Sequence, residues 1–155
     1  MDRAELATFL DAGPAMLGAS ADESHRPECF RVWGAWLDDD HRLRALVASD
    51  AGRTMTSVGP GARVSFTFTD ITSFESVQVK GRAVAAAAPP GPADLERMRR
   101  YNDLFTAALA TVGHRRQAAE TMRPLSVFVL VVDVDELYDQ TPGPGAGARV
   151  RAELT

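Results

Sequence analysis

Ser49, Arg53 and Thr54 bring two hydroxyls and a guanidinium into one short stretch, and these are groups that hold a phosphate. Asp50 can cap a short helix over residues 51–58, and Gly59-Pro60-Gly61 stops it. The first-turn amides of such a helix lack intrahelical partners and would point at the same space as those side chains. The stretch is therefore a candidate phosphate site. The plainer reading, a capped connector whose Arg53 is merely solvated, stays open.

The element that must support such a site is residues 63–81, RVSFTFTDITSFESVQVKG, which read as two strands joined by a loop. Val64, Phe66 and Phe68 alternate with Ser65, Thr67 and Thr69, and Val77 and Val79 alternate with Ser76, Gln78 and Lys80. Each strand thus has one dry and one polar face. The polar face is rich in hydroxyls and an amide that both donate and accept, which suits a polar ligand; an ordinary solvent face rich in strand-forming Thr reads equally well.

Before this hairpin, Asp2 and Glu5 form a capping pair for an amphipathic helix with Leu6, Phe9 and Leu10 on one side, closed by Gly13-Pro14. Two strands are expected over residues 15–19 and 28–37, and Asp38-Asp39-Asp40 reads as a hairpin turn rather than a metal site. After it, a helix begins at Pro92 and carries Leu95, Met98, Asn102, Phe105, Leu109 and Val112 at helical spacing until Gly113. A shorter helix over residues 114–122 precedes LSVFVLVVDV, residues 125–134, a strand expected to be buried on both faces. The expected organisation is one domain, residues 1–139, and a Pro/Gly-rich tail, residues 140–155, either strap or frayed end. Strands without βαβ alternation, with peripheral helices, indicate a mainly β fold and an antiparallel barrel.

A 155-residue chain with 45% apolar and 25% charged residues and a net charge of -4 fits a globular domain and argues against a nucleic-acid partner. No apolar run approaches the roughly 18 residues of a membrane span and no leader is evident, so a cytoplasmic protein is expected. The single cysteine, Cys29 beside Phe30, excludes an intrachain disulfide and reads as a small buried hydrophobe. His25, His41 and His114 have no ligand spacing, so no metal site is expected. No catalytic acid or base is assigned.

Ala48-Ser49, Ala51-Gly52-Arg53-Thr54, Gly61-Ala62-Arg63-Val64 and Val79-Lys80-Gly81 resemble, in order and spacing, the short motifs of the FMN-binding split-barrel family, which includes the pyridoxamine 5'-phosphate oxidases. The resemblance covers roughly residues 5–135. It implies a split-barrel homodimer with FMN bound between the subunits and a flavin-dependent redox reaction on a small-molecule substrate. It further implies cofactor contacts from Ser49, Arg53, Thr54 and Thr56. The family's Arg-Gln pair on the later strand is Glu75-Ser76 here, which makes Ser76 a fifth candidate. The family's Ser and Lys at the helix start are Gly52 and Thr54, so the clamp is altered and pyridoxamine 5'-phosphate oxidase activity itself is not implied. A non-catalytic flavin carrier is the alternative, as is a relative holding another ligand, including haem with His114 as axial ligand. Trp33 and Trp36, close together on one apolar strand, are expected at the subunit interface.

With the family Lys replaced, Arg53 supplies most of the remaining charge for a phosphate. A charge-assisted hydrogen bond is worth roughly 1.5–3 kcal/mol, so Arg53→Ala is expected to weaken FMN binding by about tenfold to a hundredfold and to leave riboflavin binding unchanged. Flavin-fluorescence titrations check this, and equal losses for both ligands would count against a phosphate role.

Overall fold

The computed structural model describes residues 1–22, 24–48 and 58–150 of the chain. Asp2 accepts the Glu5 amide and Glu5 the Asp2 amide, so the expected capping box starts α1, Arg3–Asp11. Seven strands follow: β1 (Ala15–Ala21), β2 (Pro27–Leu37), β3 (Leu43–Ala48), β4 (Arg63–Thr69), β5 (Ser76–Ala83), β6 (Val127–Asp139) and β7 (Arg149–Val150). Between β5 and β6 lie α2, Pro92–Thr111, and α3, Arg116–Thr121. No described helix is long and apolar enough to cross a membrane.

All neighbouring strands are antiparallel, in the order β3-β2-β1-β4-β5-β6-β7, and a further pairing of β3 with β6 closes the first six into a barrel. Strand β6 makes this possible by its length. Residues 127–132 pair with β3, residues 132–139 pair with β5, and a bulge at Lys80/Gly81 lets β5 follow the bend. Gly81 is required there because a Cβ would collide with the Asp133 carbonyl oxygen.

Strict alternation fills the barrel. Val64, Phe66, Phe68, Val77 and Val79 point inward as the sequence pattern predicts, and each is at most 3% exposed. Phe30 meets Phe66 edge to face at 6.2 Å between centroids and lies over Gly18, whose missing side chain leaves room for the ring. Asp38 accepts the amides of Asp40 and Arg42, so the Asp triplet is the expected turn, and no described residues are grouped as a metal site.

Several expectations need correction. Trp33 and Trp36 are 4% and 7% exposed within the single chain, because α1 and α2 both pack on β2. They are core residues, and Trp36 is further flanked by the Arg44 and Arg97 guanidiniums. Cys29 is exposed, not buried: Phe30 takes the inward position and alternation sends its neighbour out. Leu125, expected in the last strand, precedes it and is 98% exposed, whereas that strand continues to Asp139. Residues 140–148 turn the chain back so that Asp139 exchanges hydrogen bonds with Ala148 and Gly147, and β7 pairs with β6.

Where α2 meets β2, the Arg31 guanidinium lies between the rings of Trp33 (4.9 Å) and Phe105 (4.7 Å). Among the described residues its Nε and Nη2 and the Tyr101 hydroxyl have no partner within hydrogen-bond geometry. Burial pushes the Tyr101 phenol up to about 12, an effect that the adjacent Arg31 charge opposes but does not cancel. A phenol that keeps its proton longer in the folded state contributes fully below its ordinary value of 10.0, and that contribution is lost as pH rises toward about 12. Stability should therefore fall over this window by on the order of 2–3 kcal/mol from this group. Tyr101→Phe is expected to flatten the fall and, by removing an unpaired buried hydroxyl, to leave stability at pH 8 equal or higher by up to about 1 kcal/mol. Urea unfolding at pH 8 and across the window checks this; a clear loss at pH 8 would show that the hydroxyl has a partner.

Candidate functional site

Because α1 and α2 pack mainly on β2, the outer faces of β1, β4 and β5 are largely uncovered by helices among the described residues. Antiparallel register sets what this face presents. One row across the strands reads Leu17, Thr67, Gln78, Tyr138 and Arg149, and the next reads Cys29, Ala19, Ser65, Lys80 and Glu136. Leu17 is 55% exposed in the middle of the face, with small residues Ala15 and Ala19 beside it on β1. The Gln78 amide donates to the Thr67 hydroxyl at 3.4 Å and keeps its oxygen as an acceptor.

Cations gather toward one end of the same face. Arg63 stands opposite Arg82, and Ser65 opposite Lys80, beside a shallow hollow of about 350 Å³ floored by Ala19 and Ala21. Lys80 Nζ lies 4.4 Å from the centroid of the Tyr138 ring. The Tyr138 hydroxyl donates to Glu136 at 3.0 Å, and that bond to a carboxylate holds the Tyr138 phenol above its ordinary value. The face can therefore offer a flat apolar strip, a donor–acceptor amide and positive charge to a planar, anionic ligand.

Four of the five residues singled out from the sequence, Ser49, Arg53, Thr54 and Thr56, lie outside the described residues, as does the proposed short helix apart from Val58. The fifth, Ser76, is at the loop end of the β4–β5 hairpin, opposite Thr69. Arg63 begins β4 at the other end, about 20 Å away at the usual strand rise. Ser76 is 6% exposed and internally engaged: its hydroxyl bonds the Thr69 hydroxyl at 2.8 Å and the Phe68 carbonyl at 3.3 Å, and its amide donates to Thr141. Its polar atoms tie the tail to the hairpin. His114 sits in an exposed turn after α2.

Lys80 was visible on the polar face of the sequence pattern, but Arg63 was read only as a motif residue. The signal that could have found it is the hairpin register, which places Arg63 across from Arg82 and next to Lys80 on the same outward side.

The sequence matches no known family profile, and no curated protein is significantly similar to it. Solved structures do match in fold. HupZ of Group A Streptococcus is 16% identical with a TM-score of 0.57, over 95% of this chain and 100% of HupZ. A histidine-to-alanine variant of HupZ is 15% identical with a TM-score of 0.53, over 87% and 96% of the two chains. An F420 reductase is 14% identical with a TM-score of 0.51, over 84% and 93%. The closed antiparallel barrel with helices to one side is a split β-barrel, the fold expected from the sequence.

Proposed function

We propose that this chain forms a homodimer and binds an anionic flavin-type cofactor, FMN, against the uncovered outer face of its barrel, where it serves a flavin-dependent oxidoreductase reaction on a small molecule. One observation carries the reading. The broad sheet face that the chain's described helices leave uncovered combines half-exposed Leu17, small Ala15 and Ala19, the Thr67–Gln78 pair, and Lys80 and Arg63. A split-barrel F420 reductase of the same fold supports the class of cofactor.

The residues fit such a group. Leu17 and the alanines can underlie a planar ring, and exclusion of water there strengthens every polar contact at its edge. The Gln78 amide can both donate to and accept from a heterocycle carrying carbonyl and N–H groups, with Thr67 fixing the orientation of the amide. Lys80 and Arg63 supply positive charge toward the anionic end. Arg53, Ser49, Thr54 and Thr56 remain the proposed phosphate contacts. When bound, the cofactor supplies the electron transfer, so the chain needs only to bind, orient and tune it. This accounts for a face without an evident acid–base pair.

The replaced clamp positions Gly52, Thr54, Glu75 and Ser76 favour a second reading, a non-catalytic flavin carrier. Flavin-dependent turnover of NAD(P)H separates the two readings.

A charge in the middle of the apolar strip should abolish both functions of the face. Leu17→Arg is expected to give a monomer at micromolar concentration and to weaken FMN binding at least about tenfold, the loss of one well-buried apolar contact plus a charge clash. Val112→Arg, at the exposed residue that caps the end of α2, should change neither. Light scattering and flavin fluorescence read both, and a monomeric wild type, or a dimeric Leu17→Arg variant with full FMN affinity, would overturn the proposal.

A further inference from the structure

We propose that the hollow of about 350 Å³ beside β1, β4 and β5 is an anion-binding pocket in which Arg63, Lys80 and the Ser65 hydroxyl hold a phosphate group of a small molecule. The argument begins with a repulsion. Arg63 faces Arg82 across the hairpin and Lys80 is the next outward residue on β5, so three cations occupy adjoining positions on one side of two strands. Like charges directly opposite one another on a sheet are destabilising, and carboxylates on the neighbouring strand normally relieve them.

Here that relief is diverted. Asp133, in register with Arg82, bonds Arg42 at 2.8 Å, and Asp135 reaches Arg82 at 3.5 Å. Glu136 stands directly across from Lys80 yet is turned to the Tyr138 hydroxyl at 3.0 Å and to Arg149 at 4.0 Å. Lys80 instead rests its ammonium on the Tyr138 ring, which positions the charge without neutralising it. Among the described residues, neither Arg63 nor Lys80 has a carboxylate at ion-pair distance. Two uncompensated cations and a hydroxyl therefore converge on a hollow whose floor, Ala19 and Ala21, carries no bulk. Arg63 can grip two oxygens of a tetrahedral anion with its planar fork, Lys80 acts as a point charge, and Ser65 donates a third bond.

If the ligand is the cofactor's phosphate the pocket rests on the flavin reading, and if it is the phosphate of a separate substrate it does not, so the two are tested apart. The test uses the full chain without added flavin. Inorganic pyrophosphate is titrated at constant ionic strength, balanced with sodium chloride, and binding is followed by calorimetry. Saturable binding is expected, weakened about tenfold or more by Arg63→Gln or Lys80→Met. Glu136→Gln, which removes the carboxylate directly across from Lys80, should tighten it about twofold to tenfold. Arg99→Gln on the solvent side of α2 should leave it unchanged. Absence of saturable binding by the wild type would overturn the pocket, and so would unaltered binding by all three pocket variants. Repeating the titration with FMN and riboflavin identifies the source: loss of FMN alone in Lys80→Met assigns the pocket to the cofactor's phosphate. Loss of pyrophosphate binding with FMN affinity intact assigns it to a separate phosphorylated substrate.

Discussion

Closure of the barrel through the pairing of β6 with both β3 and β5 is the constraint on which the rest of this molecule depends. It leaves the six strands without a free edge between them and so removes the usual route to sheet aggregation. It also forces each strand to divide its residues between a packed interior and an outer face. The interior is settled by volume, with Phe30, Phe66 and Phe68 packed around the space that Gly18 leaves. The bulge at Gly81 tolerates no side chain, since Gly81 lies against the Asp133 backbone.

What the chain can then do is decided outside the barrel. Two helices are enough to cover β2, where they bury both tryptophans and box the Arg31 guanidinium between aromatic rings. Among the described residues they leave the β1–β4–β5 side largely open. On that side, apolar exposure at Leu17 and charge at Arg63 and Lys80 that no described carboxylate pairs with both represent unfavourable states of an isolated chain in water, and both would be relieved by a ligand or a second subunit. An arrangement in which Glu136 is held by Tyr138 and Arg149 instead of neutralising Lys80 keeps the charge available.

Much of the architecture was legible in the sequence because its signals are periodic. Alternation of Val64, Phe66 and Phe68 with hydroxyl residues located the central hairpin, the Asp2/Glu5 pair located the first helix, and the 3–4 spacing from Leu95 located α2. Properties set by tertiary context were not legible. Whether Trp33 and Trp36 face a partner or their own helices depends on where α2 docks. Cys29 looked buried beside Phe30 because local composition does not say which of two neighbours points inward. Ser76 became a candidate through its alignment with the family's Arg-Gln pair, which does not reveal that its hydroxyl bonds Thr69 and the Phe68 carbonyl while its amide donates to Thr141. The opposition of Arg63 and Arg82 needed the hairpin register, and the candidate cluster at residues 49–56 is argued from sequence alone.

The position of Cys29 on the outer face, in register with Ala19, makes the single thiol an internal reporter for the central claim that this face is covered in the working protein. The measurement is the rate of Cys29 alkylation by iodoacetamide at high and low protein concentration, with and without FMN. If the face is shared by cofactor and second subunit, alkylation slows as the concentration rises and slows further when FMN is added. A rate that is the same under all four conditions and equal to that of a free thiol would contradict the account.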